Sequence, residues 1–460
     1  MPETNQLDTY GSAAYSHIET RERIDGIRNR NVIIYGAGKI GQRVYQALRR
    51  LEVRIDSIWD INASLIKCVD NTEVIEPEPH RISPAERNNY VVIITIFSET
   101  VAESISKHLQ EAGYVNILVD RNFINDLLLL DCTGKISHDN KSLDINNCIF
   151  CPRITTKNSS CSIFFRHITN TMDVEMSDNG SLFAIPSMGI LTTTRCTLTC
   201  SGCNHLRDHF KPENNFDIPF SDIVSDLEIL LHSVDVINKL VIVGGEAFLH
   251  PELDRILQHV LSLKKVGIVH IITNGTVVPK DERIFSLLAH TRVIVEVSGY
   301  GDRLPRAMQA NVATFMDALV SHGVNHRHTR TMQWFDFGGF EERDYSEERM
   351  SRVYSSCCFV SNDLFNGRLF SCSRSALGTF LGKLPEYPDD FVDLRKAEQS
   401  GLRGRLMAFF EKKHAKACRH CNGTTAVTIE AGRQASSLRP EKETTTPSSS
   451  MQTCQKGQPV

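Results

Sequence analysis

Three features are absent from this sequence of 460 residues, and each absence excludes a class of protein. The net charge is only -4, so neither nucleic acid nor an anionic membrane is indicated as the main partner. No apolar run approaches the roughly 20 residues of a membrane-spanning helix. The first five residues lack the basic and apolar pattern of a signal peptide. We therefore expect a soluble, cytoplasmic protein of two to four domains.

Cysteine, by contrast, is abundant. The chain has 14 cysteines, which in a large chain without a signal pattern indicate metal sites rather than disulfides. Three lie together at Cys196, Cys200 and Cys203. Thiolates at this Cys-x3-Cys-x2-Cys spacing can hold three irons of a 4Fe–4S cluster and leave the fourth iron open to a small molecule. Buried or zinc-binding cysteines, with His205 as a further zinc ligand, are the alternative.

The hydrophobic pattern alternates strands and helices in two parts of the chain. Apolar runs predict strands over 31–36, 53–60, 90–96 and 115–120, with helical stretches between them. This alternation is typical of a doubly wound, Rossmann-like sheet. A second series predicts strands over 239–243, 266–273, 292–298 and near 327–334, again with helices between them. Such repeats indicate a partial (β/α)6 barrel, in which chemistry gathers at the C-terminal ends of the strands.

The overall fold class is therefore α/β, and the chain divides into five predicted units. They are, in chain order, a Rossmann-like nucleotide-binding-type domain (1–131), a β-rich connector (132–185), the partial barrel (186–340), a small α+β iron–sulfur domain (341–425) and a compositionally disordered tail (426–460).

A glycine-rich turn opens the first helix of the N-terminal unit. Gly36, Gly38 and Gly41 follow a strand, and Asp60 ends the next strand. This is the context in which phosphates sit at a helix N-terminus and a carboxylate contacts a ribose. NAD or a nucleotide sugar is the candidate ligand. Because no hydride-transfer partner is visible, a vestigial or docking role is the alternative.

The segment Gly244-Gly245-Glu246 follows a predicted strand one βα unit after the cysteine triplet. Together, the triplet and this segment resemble the radical S-adenosylmethionine (SAM) superfamily. The resemblance implies that the open iron binds SAM and that Gly244, Gly245 and Glu246 hold its amino group. It also implies SAM contacts from the ends of the next two strands, at Thr273, Asn274, Glu296, Ser298 and Tyr300. Two positions depart from the family pattern, Gly202 in place of an aromatic residue and Ala247 in place of proline.

A second cysteine set lies near the C-terminus. The pattern Cys357-x9-Gly367-x4-Cys372, followed by Cys418 and Cys421, resembles the SPASM and twitch extensions of radical SAM enzymes. The resemblance implies one auxiliary 4Fe–4S cluster with no open iron. Cys358 is an alternative ligand to Cys357, and a zinc ribbon is the alternative site.

Two further groups are candidates for minor sites. The connector contains four cysteines, which are Cys132, Cys148, Cys151 and Cys161. They form either a metal site or ordinary small buried residues. The segment 326–330, which is His-Arg-His-Thr-Arg, is either a solvated strand end or a basic patch for a substrate phosphate or carboxylate.

The resemblance implies reductive cleavage of SAM to a 5′-deoxyadenosyl radical, with a low-potential donor such as flavodoxin or ferredoxin. The expected substrate is a small polyol, aminocyclitol or nucleotide-linked sugar, and the outcome is oxidation, epimerisation or dehydration. No side chain stands out as the catalytic acid, base or hydrogen donor. A peptide-modifying radical SAM maturase and a non-enzymatic sensor that binds zinc and NAD are the alternatives.

Overall fold

The computed structural model describes residues 22–70, 72–96, 99–120, 123–128, 130–132, 148, 151, 183–330, 333–357, 359, 361–396, 399–425 and 427–434. Cys161 and Cys358, and most of the predicted connector, lie outside these residues. No helix among them is long and apolar enough to cross a membrane.

The N-terminal unit is a six-stranded sheet with helices beside it. Its elements are β1 (Asn31–Tyr35), α1 (Lys39–Arg50), β2 (Ile55–Trp59), α2 (Ala63–Ile66), β3 (Cys68–Val69), β4 (Thr72–Ile75), β5 (Tyr90–Ile94), α3 (Glu99–Glu111) and β6 (Ile117–Leu118). The strand order is β3-β4-β2-β1-β5-β6, and only the β3–β4 pair is antiparallel. Four of these strands lie where the sequence predicted strands.

Both faces of this sheet are buried because the apolar residues of β1 point alternately to the two sides. Val32 and Ile34 belong to one core cluster, which includes Val44 and Leu48 of α1. Ile33 and Tyr35 belong to a second cluster on the other face, with Trp59. A continuous apolar run is what a parallel strand covered on both faces requires.

The turn between β1 and α1 is tightly packed. A Cβ at Gly41 would clash with the carbonyl oxygen of Gly36, whereas a Cβ at Gly38 would meet nothing within 4 Å. The backbone N–H of Ala37 donates to Asp60 Oδ2 at 2.7 Å, which ties the turn to the end of β2. The first helix therefore starts at a fixed point, and Lys39 is its first residue.

The second sheet contains the barrel strands. Its elements are β7 (Ala184–Ile185), β8 (Met188–Leu191), α4 (Phe220–Ser233), β9 (Val236–Val243), α5 (Leu253–Ser262), β10 (Val266–Thr273), α6 (Glu282–Leu288), β11 (Val293–Gly299), α7 (Arg306–Ser321) and β12 (His326–Arg330). Strands β8 to β12 are parallel neighbours in chain order. Their C-terminal ends therefore meet at one edge.

The C-terminal segment extends the same sheet. Its elements are β13 (Gln333–Phe335), α8 (Glu347–Ser356), β14 (Asp363–Phe365), β15 (Arg368–Phe370), α9 (Ser373–Phe380), β16 (Phe391–Asp393), α10 (Gln399–Phe410) and β17 (Thr428–Glu430). Strand β14 lies parallel to β8, and β15 and β16 follow antiparallel. Arg395 also donates to both carboxylate oxygens of Asp226 on α4, at 2.8 and 3.0 Å.

Two sequence-based boundaries differ from the structure. The strand predicted near 327–334 is two strands, and β13 pairs with β17 instead of joining the barrel. Residues 427–434, assigned to the disordered tail, form β17 and the turn after it. The local sequence of this segment does not reveal that Ile429 pairs with Trp334 of β13.

The β1–α1 turn gives a matched pair of predictions. Gly41→Ala should lower the stability of the N-terminal unit by about 1–3 kcal/mol because its Cβ overlaps backbone, whereas Gly38→Ala should be nearly neutral. Urea unfolding followed by the fluorescence of Trp59, which is buried in β2, measures both. Equal midpoints for the two variants would contradict this account of the turn.

Candidate active site

The three cysteines of the triplet lie on the loop that leaves β8. Backbone hydrogen bonds join this loop to the loop that leaves β9. Gly245 N donates to Thr193 O at 2.8 Å, and Glu246 N donates to Arg195 O at 2.7 Å. A Cβ at Gly245 would clash with the Arg195 carbonyl and lie 2.9 Å from Cys196 Cβ. The glycine pair is therefore needed for the Gly-Gly-Glu segment to lie directly against the cysteine loop.

Burial dominates the chemistry of the three thiols. Burial, with the charge of Glu246, raises the pKa of Cys196 to about 12. Burial likewise raises the pKa of Cys200 to about 11 and that of Cys203 to about 12. Burial therefore disfavours free thiolates at these positions, and a bound metal centre would stabilise them.

Hydrogen-bond donors already point at two of these sulfurs. Leu198 N donates to Cys196 Sγ at 3.4 Å, and Gln434 Nε2 donates to Cys200 Sγ at 3.1 Å. Hydrogen bonds to cysteine sulfur are among the features that tune iron–sulfur clusters. Within the residues that the structure describes, no three His, Cys, Asp or Glu side chains are grouped to hold a single metal ion.

His205, the candidate zinc ligand, has a different contact. Its Nδ1 lies 2.6 Å from the carbonyl oxygen of Gly244, so this nitrogen carries the proton and donates. Burial lowers the pKa of His205 and keeps the ring neutral. The side chain therefore braces the Gly-Gly-Glu segment.

Glu246 links the segment to β10. Its Oε1 accepts from Thr273 Oγ1 at 2.7 Å and from Phe248 N at 3.2 Å, and its Oε2 accepts from Asn274 N at 2.8 Å. Burial raises the pKa of this carboxyl. Because both oxygens accept from protein donors, the contact predicted between Glu246 and the amino group of SAM stays a prediction.

The other strand-end residues lie around the same loop. Asn274 Nδ2 lies 3.1 Å from Thr197 Oγ1 and 3.6 Å from Cys196 Sγ. Ser298 lies near the end of β11 and hydrogen-bonds to Tyr300, whose pKa is raised by burial. Tyr300 packs in one cluster with the three cysteines. The structure thus brings Thr273, Asn274, Ser298 and Tyr300 to the cysteine loop, while their contacts with SAM stay predictions.

The segment 427–434 covers the cysteine loop, which the sequence did not indicate. Gly202 has a φ of 69°, and a Cβ there would clash with Ile429. Ser201 N donates to Arg433 O at 2.8 Å. Trp334, paired with Ile429 in the β13–β17 ladder, lies edge-on to Tyr300 with ring centroids 5.8 Å apart. The departure at Gly202 therefore has a packing reason, since Ile429 takes the space of a side chain.

The second cysteine set converges on one cavity. Cys357 caps the C-terminus of α8, and Cys372 caps the N-terminus of α9. Cys418 lies in the helical turn Lys416–His420, and Cys421 directly follows that turn. All four line a cavity with an otherwise largely apolar wall. Backbone N–H groups of Phe359, Ser375 and Gly423 donate to Cys357, Cys372 and Cys421 at 3.3–3.4 Å. Burial raises the pKa of Cys372 and of Cys418.

The remaining predicted residues have less specific surroundings. Asp60 accepts from Ala37 N and from Asn62 N, at 2.7 and 2.8 Å, so its carboxylate shapes the glycine turn and its ribose contact stays a prediction. Cys132, Cys148 and Cys151 lie around the guanidinium of Arg43 and raise its pKa, although burial opposes this.

Part of the chain matches known proteins, and the match includes strands β9 to β11. Residues 190–327 match the family described as the radical SAM superfamily. A GTP 3′,8-cyclase from Clostridium acetobutylicum is 34% identical over 97 residues, which are 21% of this chain and 29% of the relative. The match therefore spans less than a third of that relative.

The solved structures that match this chain have low sequence identity to it and low TM-scores. Native anSMEcpe with bound AdoMet is 11% identical, with 51% of this chain and 87% of that chain covered and a TM-score of 0.34. BtrN in complex with AdoMet and 2-DOIA is 15% identical, with 54% and 95% covered and a TM-score of 0.30. SuiB from Streptococcus suis bound to S-adenosylmethionine is 16% identical, with 56% and 49% covered and a TM-score of 0.24. The residues that match the radical SAM superfamily, 190–327, run from β8 to β12 and include the cysteine loop and the Gly-Gly-Glu segment.

Proposed function

We propose that the protein is a radical SAM enzyme with a second, auxiliary 4Fe–4S cluster, acting on a small polyol, aminocyclitol or nucleotide-linked sugar. The observation that carries the proposal is the set of three buried thiols on one loop, braced by the Gly-Gly-Glu loop. A 4Fe–4S cluster bound there would supply one electron, which breaks the C5′–S bond of SAM to give methionine and a 5′-deoxyadenosyl radical.

The donor chemistry of both cysteine sets suits iron–sulfur clusters. Cys196, Cys200 and Cys203 supply three sulfurs, and the N–H donors of Leu198 and Gln434 stabilise negative charge on them. Cys357, Cys372, Cys418 and Cys421 supply four sulfurs around one cavity, which leaves no open iron. The first set therefore suits SAM cleavage, and the second suits electron transfer or structure.

The protein groups around the loop have three tasks. Gly244, Gly245 and Glu246 would hold the amino group of SAM, and His205 fixes the position of the Gly244 carbonyl. Glu246 keeps the ends of β9 and β10 together. Tyr300, Trp334 and Ile429 keep water away from the cysteine loop. A flavodoxin or ferredoxin is the electron donor that we propose.

The sequence is also compatible with two other functions, a peptide-modifying maturase and a sensor that binds zinc and NAD. A peptide-modifying maturase would need a peptide-recognition surface, and a sensor would hold zinc rather than iron. Metal analysis of anaerobically purified protein separates the sensor from the enzyme, since two 4Fe–4S clusters contain about eight irons per chain. Stoichiometric zinc without iron would remove the enzyme proposal.

Replacement of Cys196, Cys200 and Cys203 together by Ala should abolish 5′-deoxyadenosine formation from SAM under dithionite, because no thiolate remains for the cleaving cluster. Chromatographic quantification of 5′-deoxyadenosine measures this. Cys68→Ala, in β3 of the N-terminal sheet, is the matched control and should keep the activity. The assignment is wrong if the triple variant still forms 5′-deoxyadenosine.

Replacement of Cys418 and Cys421 by Ala should remove the second cluster and leave about four irons per chain. Some SAM cleavage should remain, uncoupled from substrate, because the first cysteine set is intact. Iron content and 5′-deoxyadenosine are measured on the same sample. Loss of all cleavage would instead assign the second cluster a mainly structural role.

A chain that ends at residue 426 should lose iron from the first set faster in air than a chain that ends at residue 434. The shorter chain lacks Ile429 and Gln434, which cover Gly202 and donate to Cys200. Time courses of iron release compare the two truncated chains. The variant Gln434→Leu tests the hydrogen bond from Gln434 to Cys200 separately from the cover by Ile429. Equal rates for both truncations would show that the segment does not protect the loop.

A further inference from the structure

One contact joins the glycine turn of the N-terminal unit to the interior of the barrel. Lys39 Nζ lies 2.8 Å from Glu296 Oε1, although the two residues are 257 positions apart. Only 10% of the Glu296 side chain is exposed, against 42% of that of Lys39. The carboxylate is therefore nearly buried, whereas the ammonium that approaches it stays partly accessible to solvent.

Barrel side chains gather around the same carboxylate. His270 Nε2 lies 3.2 Å from Glu296 Oε2, and Thr329 Oγ1 donates to Glu296 Oε1 at 3.3 Å. Arg327 is the register partner of Glu296 on β12. The pairings of β9, β10 and β11 put Lys239 on the same face of the sheet as His270 and Glu296, because side chains alternate along a strand.

The charges in this cluster are mostly positive. Burial lowers the pKa of Lys239 to about 8, although the charge of Glu296 opposes this. Burial also lowers the pKa of Lys39, and the charge of Arg327 adds to that effect. Burial raises the pKa of Glu296, but the hydrogen bond from His270 and the charge of Lys39 outweigh it and bring the value to about 2. At neutral pH the cations therefore repel one another around an ionised carboxylate, an arrangement that a bound dianion would relieve.

We propose that Lys39, Lys239 and Arg327 bind a phosphate group of the substrate, so that the N-terminal unit completes the substrate site of the radical SAM domain. The proposal rests on the proposed function and narrows its substrate class to phosphorylated or nucleotide-linked sugars and polyols. Several cations on one anion suit a phosphate better than a monoanionic carboxylate. Lys39 is also the first residue of α1, and a Cβ at the adjacent Gly38 would meet open space.

The distance of Glu296 from the C-terminal end of β11 suits a phosphorylated or nucleotide-linked sugar. Glu296 lies three residues before the end of β11 at Gly299, which is about 10 Å at a rise of about 3.3 Å per residue. A sugar ring joined to a phosphate at this depth would extend toward the strand ends, where the cysteine loop lies. The phosphate would thus anchor the substrate with its carbon atoms directed to the site of radical formation.

Isothermal titration of the anaerobically reconstituted, full-length protein with inorganic pyrophosphate at constant ionic strength tests the proposal. Lys39→Met and Arg327→Met should each weaken binding by about tenfold, the effect of losing one charged hydrogen bond. Glu296→Gln should tighten it because the competing carboxylate is lost. Lys107→Met, on the exposed side of α3, is the matched control and should leave the Kd unchanged.

Lys39→Met and Glu296→Gln should change the Kd for pyrophosphate in opposite directions if the cluster is a binding site. If the Lys39–Glu296 pair only joins the N-terminal unit to the barrel, these two variants lower the thermal midpoint alike and neither changes the Kd for pyrophosphate. That result would overturn the inference, as would wild-type protein that binds no pyrophosphate. The same samples are assayed for 5′-deoxyadenosine, whose absence in the wild type would contradict the proposed function while the titration still reports on the phosphate site.

Discussion

The candidate site depends on the close approach of two loops at the C-terminal edge of the barrel. The backbone N–H groups of Gly245 and Glu246 donate to the carbonyls of Thr193 and Arg195, on the loop that carries the cysteines. Parallel strands bring such loops to one edge, but only glycine lets the two backbones touch. The cysteines therefore have fixed positions before any cofactor binds, which limits the entropy that binding must remove.

Buried polar groups extend this constraint to the neighbouring elements. Glu246 accepts from Thr273, Asn274 and Phe248, so the ends of β9 and β10 move together. His205 donates to Gly244 from the cysteine loop itself. A buried carboxylate without these donors would be strongly destabilising. The network thus couples the stability of the barrel edge to the geometry of the cysteine loop.

Much of this could be predicted from the sequence, because strand periodicity and cysteine spacing are local signals. Strand β10 lies at the predicted residues, and the Gly-Gly-Glu segment follows its strand as expected. Contacts between distant residues leave no local signal. The three-residue strands β13 and β17 are too short for a recognisable alternation, so the cover that Ile429 forms over Gly202 was not predictable. The contact of Lys39 with Glu296 is of the same kind.

The glycine turn illustrates why a motif alone does not define a ligand. Its pattern is that of a dinucleotide-binding loop, yet the Asp60 carboxylate accepts from Ala37 N and Asn62 N within the protein. Gly36 and Gly41 pack against each other and fix the first residue of α1. That residue is Lys39, whose ammonium reaches the barrel. A rigid turn that presents a lysine to a neighbouring sheet needs Gly36 and Gly41, as a dinucleotide-binding turn does. It does not need Gly38, where a Cβ would meet open space, so what lies opposite the helix start decides between the two roles. Here Glu296 of β11, in the second sheet, lies opposite the helix start.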